Sequence, residues 1–114
     1  MKEEKFKVIN FIRELIVATE EQLENFPKKD IELKNRIRDN SYDLLELAYF
    51  ANNISNTEFK LNALEKCVAK IKIIDFLINL SYDKKIINSK KYYKLGQKMD
   101  DIIKYLIGWI NSTN

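Results

Sequence analysis

Histidine is absent from these 114 residues, and cysteine occurs once, at Cys67. Those two facts exclude a disulfide within the chain and a Cys/His metal centre. They also exclude catalysis that uses imidazole as a base, an acid or a triad member. Proline occurs once, at Pro27, and glycine twice, at Gly96 and Gly108, so few residues punctuate the chain into loops and turns. No apolar run approaches the roughly 18 residues of a membrane span. The opening Met1-Lys2-Glu3-Glu4-Lys5 is charged and leads into an amphipathic pattern, not into the apolar core of a signal peptide. The expectation is a soluble, cytoplasmic protein without membrane contact.

What is present favours helices. Hydrophobic residues make up 46% of the chain and are interleaved with Lys, Glu, Leu and Ile, all at home in helices. A chain of this length forms one domain, residues 1–114, and buries about two-thirds of its unfolded surface. Helix one is predicted over residues 2–25, with Phe6, Ile9, Ile12, Ile16 and Leu23 as its apolar stripe. Phe26-Pro27 stops it, because proline cannot continue the ladder and restricts its predecessor. Asp30 is placed to cap helix two, whose stripe is Leu33, Ile37, Leu44, Ala48 and Ala51. The polar break 52–57 precedes helix three, with Thr57 as its expected cap, and the helix runs to about residue 82. A connector rich in Lys and Asn leads to helix four, residues 89–110. Helices of about 20–24 residues span roughly 30–36 Å, and short connectors make neighbours antiparallel. The expected fold is all-α, an up-down-up-down four-helix bundle.

Two helices carry more apolar surface than one core needs. In residues 71–80, Ile73, Phe76 and Leu77 point away from the stripe formed by their neighbours, so the helix is hydrophobic all round. On helix four, Leu95, Met99, Ile102 and Leu106 form one stripe, while Gly96, Ile103 and Ile107 form a second beside it. Contact with another copy of the chain is the expected use of both surpluses. An over-apolar monomer core is the alternative.

Charge is small in total, +3, but uneven. Residues 1–27 carry −2 and residues 83–114 carry +4, which hints at an anionic partner near the C-terminus. Lys91, Lys94, Lys98, Tyr105 and Trp109 fall on one flank of helix four. Ammonium groups neutralise phosphates and aromatic faces accept unstacked bases, so this flank is a candidate for RNA or DNA. Lys84, Lys85 and Lys90 extend it. Arg36 and Arg38, after Lys28, Lys29 and Lys34, form a second cluster on helix two, and Lys70 and Lys72 add a third on helix three. The competing reading is an ordinary solvated face, with Trp109 packed as an anchor. Adjacent acids such as Asp100-Asp101 diverge on a helix, and without His no di-metal bundle site is available, so no metal or cofactor is expected. Cys67 lies near Lys66 and Lys70, which would lower its pKa, or it is a small core residue.

The Phe26-Pro27-Lys28 stop, the helix opening near Ile31 with Arg36 and Asn40-Ser41 inside it, and the ending Leu106-Ile107-Gly108-Trp109-Ile110 resemble the accessory variability determinants of diversity-generating retroelements. The resemblance spans about residues 6–110. It implies a non-catalytic four-helix bundle that assembles as a homopentameric barrel. Such a barrel binds the retroelement's reverse transcriptase and its nucleic acid, template RNA or complementary DNA, during mutagenic retrohoming. The chain departs from that pattern at Asn79, where the family often has Arg, at Ile107, which replaces the first of two glycines before Trp, and at Ile103, often Gly. The sister family, encoded in intervening sequences of 23S ribosomal RNA genes, is the alternative. A helical adaptor that binds a partner helix through Gly96, Ile103 and Ile107 is a third reading.

Overall fold

The first helix stops just before the proline, at a corner anchored by buried Phe26. The computed structural model describes residues 2–113, apart from the side chains of residues 2–4 and of Phe6, so the expected core role of Phe6 lies outside the described residues. Helix α1 is Lys2–Leu23, two residues shorter than the pattern suggests. The amides of Asn25 and Phe26 bond to the carbonyls of Gln22 and Leu23 and tighten the last turn, Phe26 turns into the core, and Pro27 is extended. A 3-10 turn, Lys28–Asp30, then feeds α2 (Ile31–Asn53). Asp30 stands at the cap position but its side chain caps nothing. It is drawn instead to Lys84 at the end of α3.

Helix α3 is Thr57–Asp83. Its cap is Asn56, whose side chain accepts from the Phe59 amide. Asn56 displaces Thr57 from that role because it is the residue with extended backbone. The helix ends in a left-handed residue, Lys85, at φ 64°. The Ile86 amide bonds to the Ser81 carbonyl and the Lys85 amide to the Tyr82 carbonyl, the two bonds of a Schellman ending. Glycine is usual at that position, and a lysine there costs roughly 1 kcal/mol. Asn88 caps α4, accepting from the Lys91 amide. Helix α4 is Ser89–Thr113, three residues longer than the pattern suggests. Ser112 and Thr113 turn their hydroxyls back onto the Trp109 carbonyl and hold the last turn.

Each helix packs on its neighbours in the chain and α1 closes the ring against α4, with no diagonal contact among the described residues. The α1–α4 pairing is antiparallel: Lys7 reaches Tyr105 and Lys98 reaches Glu14. The result is a four-helix bundle of 43 × 23 × 18 Å, and no strand occurs among the described residues. Its core is one stripe from each helix. Ile12, Leu15 and Leu23 of α1, Ile37, Leu44 and Ala48 of α2, Leu64, Ile71, Ile74 and Ile78 of α3, and Leu95, Met99, Ile102 and Leu106 of α4 are buried in it. Leu33 packs against this core half-buried. Burying each large side chain stabilises the fold by about 1.5–3 kcal/mol. Ser41 and Ser81 are tolerated inside because each hydroxyl bonds back to a carbonyl four residues earlier. No helix among the described residues is long and apolar enough to cross a membrane.

Candidate nucleic-acid interface and open apolar faces

Antiparallel packing puts the α1–α2 and α3–α4 connections at the same end of the bundle. Two lysine groups that are far apart in sequence therefore meet. Lys28 and Lys29 come from the 3-10 turn, Lys84 and Lys85 from the end of α3, and Lys90 and Lys91 from the first turn of α4. The join is direct: Lys84 Nζ lies 3.1 Å from Oδ1 of Asp30, whose side chain is only 8% exposed. Ring stacking of Tyr82 on Tyr92, at 4.3 Å and 4°, fastens the same loop from its other side. The left-handed backbone at Lys85 turns the chain sharply where its exposed side chain leaves the bundle. Glu24, Glu32 and Asp83 lie among these lysines in the sequence, so the excess of positive charge is real but moderated. The opposite end, built from residues 52–57, the start of α1 and the end of α4, carries Asn, Ser and Thr together with Lys5 and Lys60.

The other expected basic residues divide by what they touch. Arg38 donates two bonds to Glu20, at 2.7 and 2.8 Å, and clamps α2 to α1. Tyr42 adds a third bond, at 3.3 Å. The Arg38 hydrogen bonds hold the Glu20 carboxyl below its ordinary range against the opposing effect of burial. The same contact pushes Arg38 up. Lys70 donates to Asn40 and Asp43 and ties α3 to α2. Lys98 faces Glu14 at 3.8 Å, and Lys91 and Lys94 line a shallow groove with Glu21 and Gln22 of α1. The acidic first helix therefore lies along the basic flank of the fourth and screens much of it. Arg36 and Lys72 are exposed, and each lies within its helix, not in the connections that form the lysine end.

Trp109 needs a correction. Helical spacing puts it on the lysine flank, but the ring is 3% exposed and packs into the core near the Asn-rich end. It offers no face to a base. Tyr105 of the same flank packs on Phe11 of α1 at 5.6 Å. Cys67 is fully buried, and loss of water pushes its thiol up to about 12. The neighbouring lysines do not activate it, because they lie outside the core.

Helix α3 presents a second stripe away from the core. Phe59, Lys66, Ala69, Ile73, Phe76 and Leu80, with Asn62 between the first two, recur at alternating spacings of three and four. Ile73 is 49% exposed and Phe76 62%, and Leu77 beside them is half-buried. Leu47 and Phe50 of α2 flank this stripe and form with it a long groove. Helix α4 has its own second stripe, Tyr93, Gly96, Asp100, Ile103, Ile107 and Ile110. Gly96 does not serve close packing within the bundle: a Cβ built there meets nothing within 4 Å. The three-and-four spacing along α3 and α4 marks both stripes in the sequence, Lys66 and Asp100 included. Among the described residues no group of three acidic or cysteine side chains is arranged to hold a metal ion.

A model of the bAvd-like family matches residues 2–113, almost the whole chain. None of the curated proteins matches it in sequence.

Proposed function

We propose a function from one premise: the chain belongs to the bAvd-like family, the bacterial accessory variability determinants. It acts as a non-catalytic accessory protein of a diversity-generating retroelement. It assembles as a homopentameric barrel and binds the reverse transcriptase together with its template RNA or complementary DNA during mutagenic retrohoming. The observation that carries the nucleic-acid part is the meeting of two lysine-bearing connections at one end of the bundle, fixed by Lys84 on Asp30. Lys28, Lys29, Lys85 and Lys90 are exposed there, and none of them has an ion pair among the described residues. Surface ammonium groups that are not already neutralised are the ones that release counterions from a phosphate backbone. Lys70, Lys98 and Arg38 are tied to carboxylates, and they contribute less. The exposed Arg36 and Lys72 stand outside this end, on the sides that face a polymerase or a neighbouring subunit.

The test is a fluorescence-anisotropy titration of single-stranded RNA and DNA at several salt concentrations. The quadruple variant Lys28→Gln, Lys29→Gln, Lys85→Gln, Lys90→Gln is compared with the unaltered protein and with Lys98→Gln. Each phosphate contact removed lowers the salt slope by about 0.7–0.9. The quadruple variant is expected to lose most of the slope and to co-purify less reverse transcriptase–RNA complex, while Lys98→Gln stays close to the parent. An unchanged slope in the quadruple variant contradicts this assignment of the surface.

A further inference from the structure

The two open stripes match each other. Each is built on a three-and-four spacing, and each contains one charged residue in an otherwise uncharged row: Lys66 on α3 and Asp100 on α4. Both are exposed, and neither is ion-paired among the described residues. The charges are opposite. The groove beside the α3 stripe also carries Asp43, Glu46, Glu58 and Lys70, but Lys66 is the one charge in the stripe itself, and a charge covered in a helix seam is costly unless the covering surface supplies its partner. A polar pair of this kind fixes the register of packed helices.

The geometry points to a head-to-tail contact in which the α4 stripe of one copy seats in the α2–α3 groove of the next, with Asp100 paired to Lys66. This contact rests on the homo-oligomer reading of the preceding subsection and names its two faces. Within a protomer α3 and α4 run antiparallel. A rotation about an axis along the bundle keeps that relation between copies. With Lys66 set against Asp100, an antiparallel seam then brings Phe59 opposite Ile107 and Ile73 opposite Tyr93. Ala69 falls within one residue of Gly96. The two smallest side chains in the stripes thus meet, which lets the helices approach closely and gives Gly96 the neighbour it lacks inside the protomer. Large apolar residues meet on either side. Because the two faces differ, the contact is heterologous, and a heterologous contact closes into a ring when its rotation allows.

The experiment measures mass in solution by light scattering on a sizing column, for the full chain and its variants, with far-ultraviolet circular dichroism as the check on folding. Ile73→Glu alters only the groove and Ile107→Glu only the α4 stripe. Both side chains are half exposed in the protomer, so both variants keep their helical signal, and each is expected to fall to the mass of one chain. Lys66→Asp and Asp100→Lys each weaken assembly, and the two together in one chain restore it. If Ile107→Glu retains the parent's mass, the α3 stripe packs on itself and the pairing is overturned. If the double charge exchange is no better than the single changes, the Lys66–Asp100 register is overturned. An unaltered protein with the mass of one chain overturns the homo-oligomer reading itself; the nucleic-acid reading is tested separately by the RNA titration.

Discussion

Two stripes on helix α3 have the same spacing and opposite surroundings. Leu64, Cys67, Ile71, Ile74 and Ile78 are sealed inside the bundle, while Ala69, Ile73, Phe76 and Leu80 lie on its surface. Both rows consist largely of aliphatic or aromatic residues. A three-and-four spacing shows that a helix has an apolar face, but it does not say whether the covering element belongs to the same chain. In this protein the neighbouring helices of the same chain, α2 and α4, cover the inner row. None of the described helices covers the outer row.

Truncations of the two rows should therefore part company. Ile74→Ala removes packing from a site with no exposure and is expected to lower stability by about 2–5 kcal/mol in urea unfolding. Ile73→Ala, one residue away, is expected to change the stability of the dissociated chain by less than about 0.5 kcal/mol while reducing assembly. Equal losses of stability at the two positions would erase the distinction between the rows.

Next in size is the lysine end. Lys84→Met leaves the Asp30 carboxylate enclosed without its cation, and its second oxygen already has no partner among the described residues. A loss of about 1–3 kcal/mol is expected. Asp30→Asn in the same chain should recover part of it, as a double-mutant cycle would record. Gly96→Ala sharpens the comparison from helix α4. Because the added methyl meets open space in the protomer, the dissociated chain should gain up to about 1 kcal/mol from helix propensity. In the proposed head-to-tail contact the same methyl would stand at the close approach to Ala69, and the mass should fall.

The smallest effect belongs to the Arg38–Glu20 clamp. Both side chains are about one-third exposed, so solvent screening limits Arg38→Gln to about 0.2–1 kcal/mol. Glu20 sits below its ordinary value of 4.5 in the folded chain. The unfolded state therefore binds the proton more readily. The contribution is fully present above about pH 4.5 and is lost as the pH falls through the lower folded value. Parent and Arg38→Gln stability curves should converge in acid and stay apart at neutral pH.

Much of the fold is legible in the sequence. The single proline, the break at residues 52–57 and the stripes on α1, α2 and α4 mark four helices and most of the core. Cap identities are less so: Asn56 and Thr57 are both competent caps, and backbone conformation decides between them. Asp30 reads as a cap because its tertiary partner, Lys84, is 54 residues away. The site was harder to read. Helical spacing sets Trp109 on the lysine flank, but spacing places a residue on a face without saying how far a neighbouring helix overlaps it. The acidic charge of α1 and the basic charge of α4 were both visible, yet only the closing of the ring shows that they lie against each other. Lys28 and Lys90 belong together for the same reason.

The central claim is that the outer row of α3 is an interface and not surplus core. The most direct measurement is the solution mass of the unaltered protein by light scattering on a sizing column. The account predicts a mass near five times the 13.6 kDa of the chain. A mass of one chain, unchanged on concentration, would contradict it.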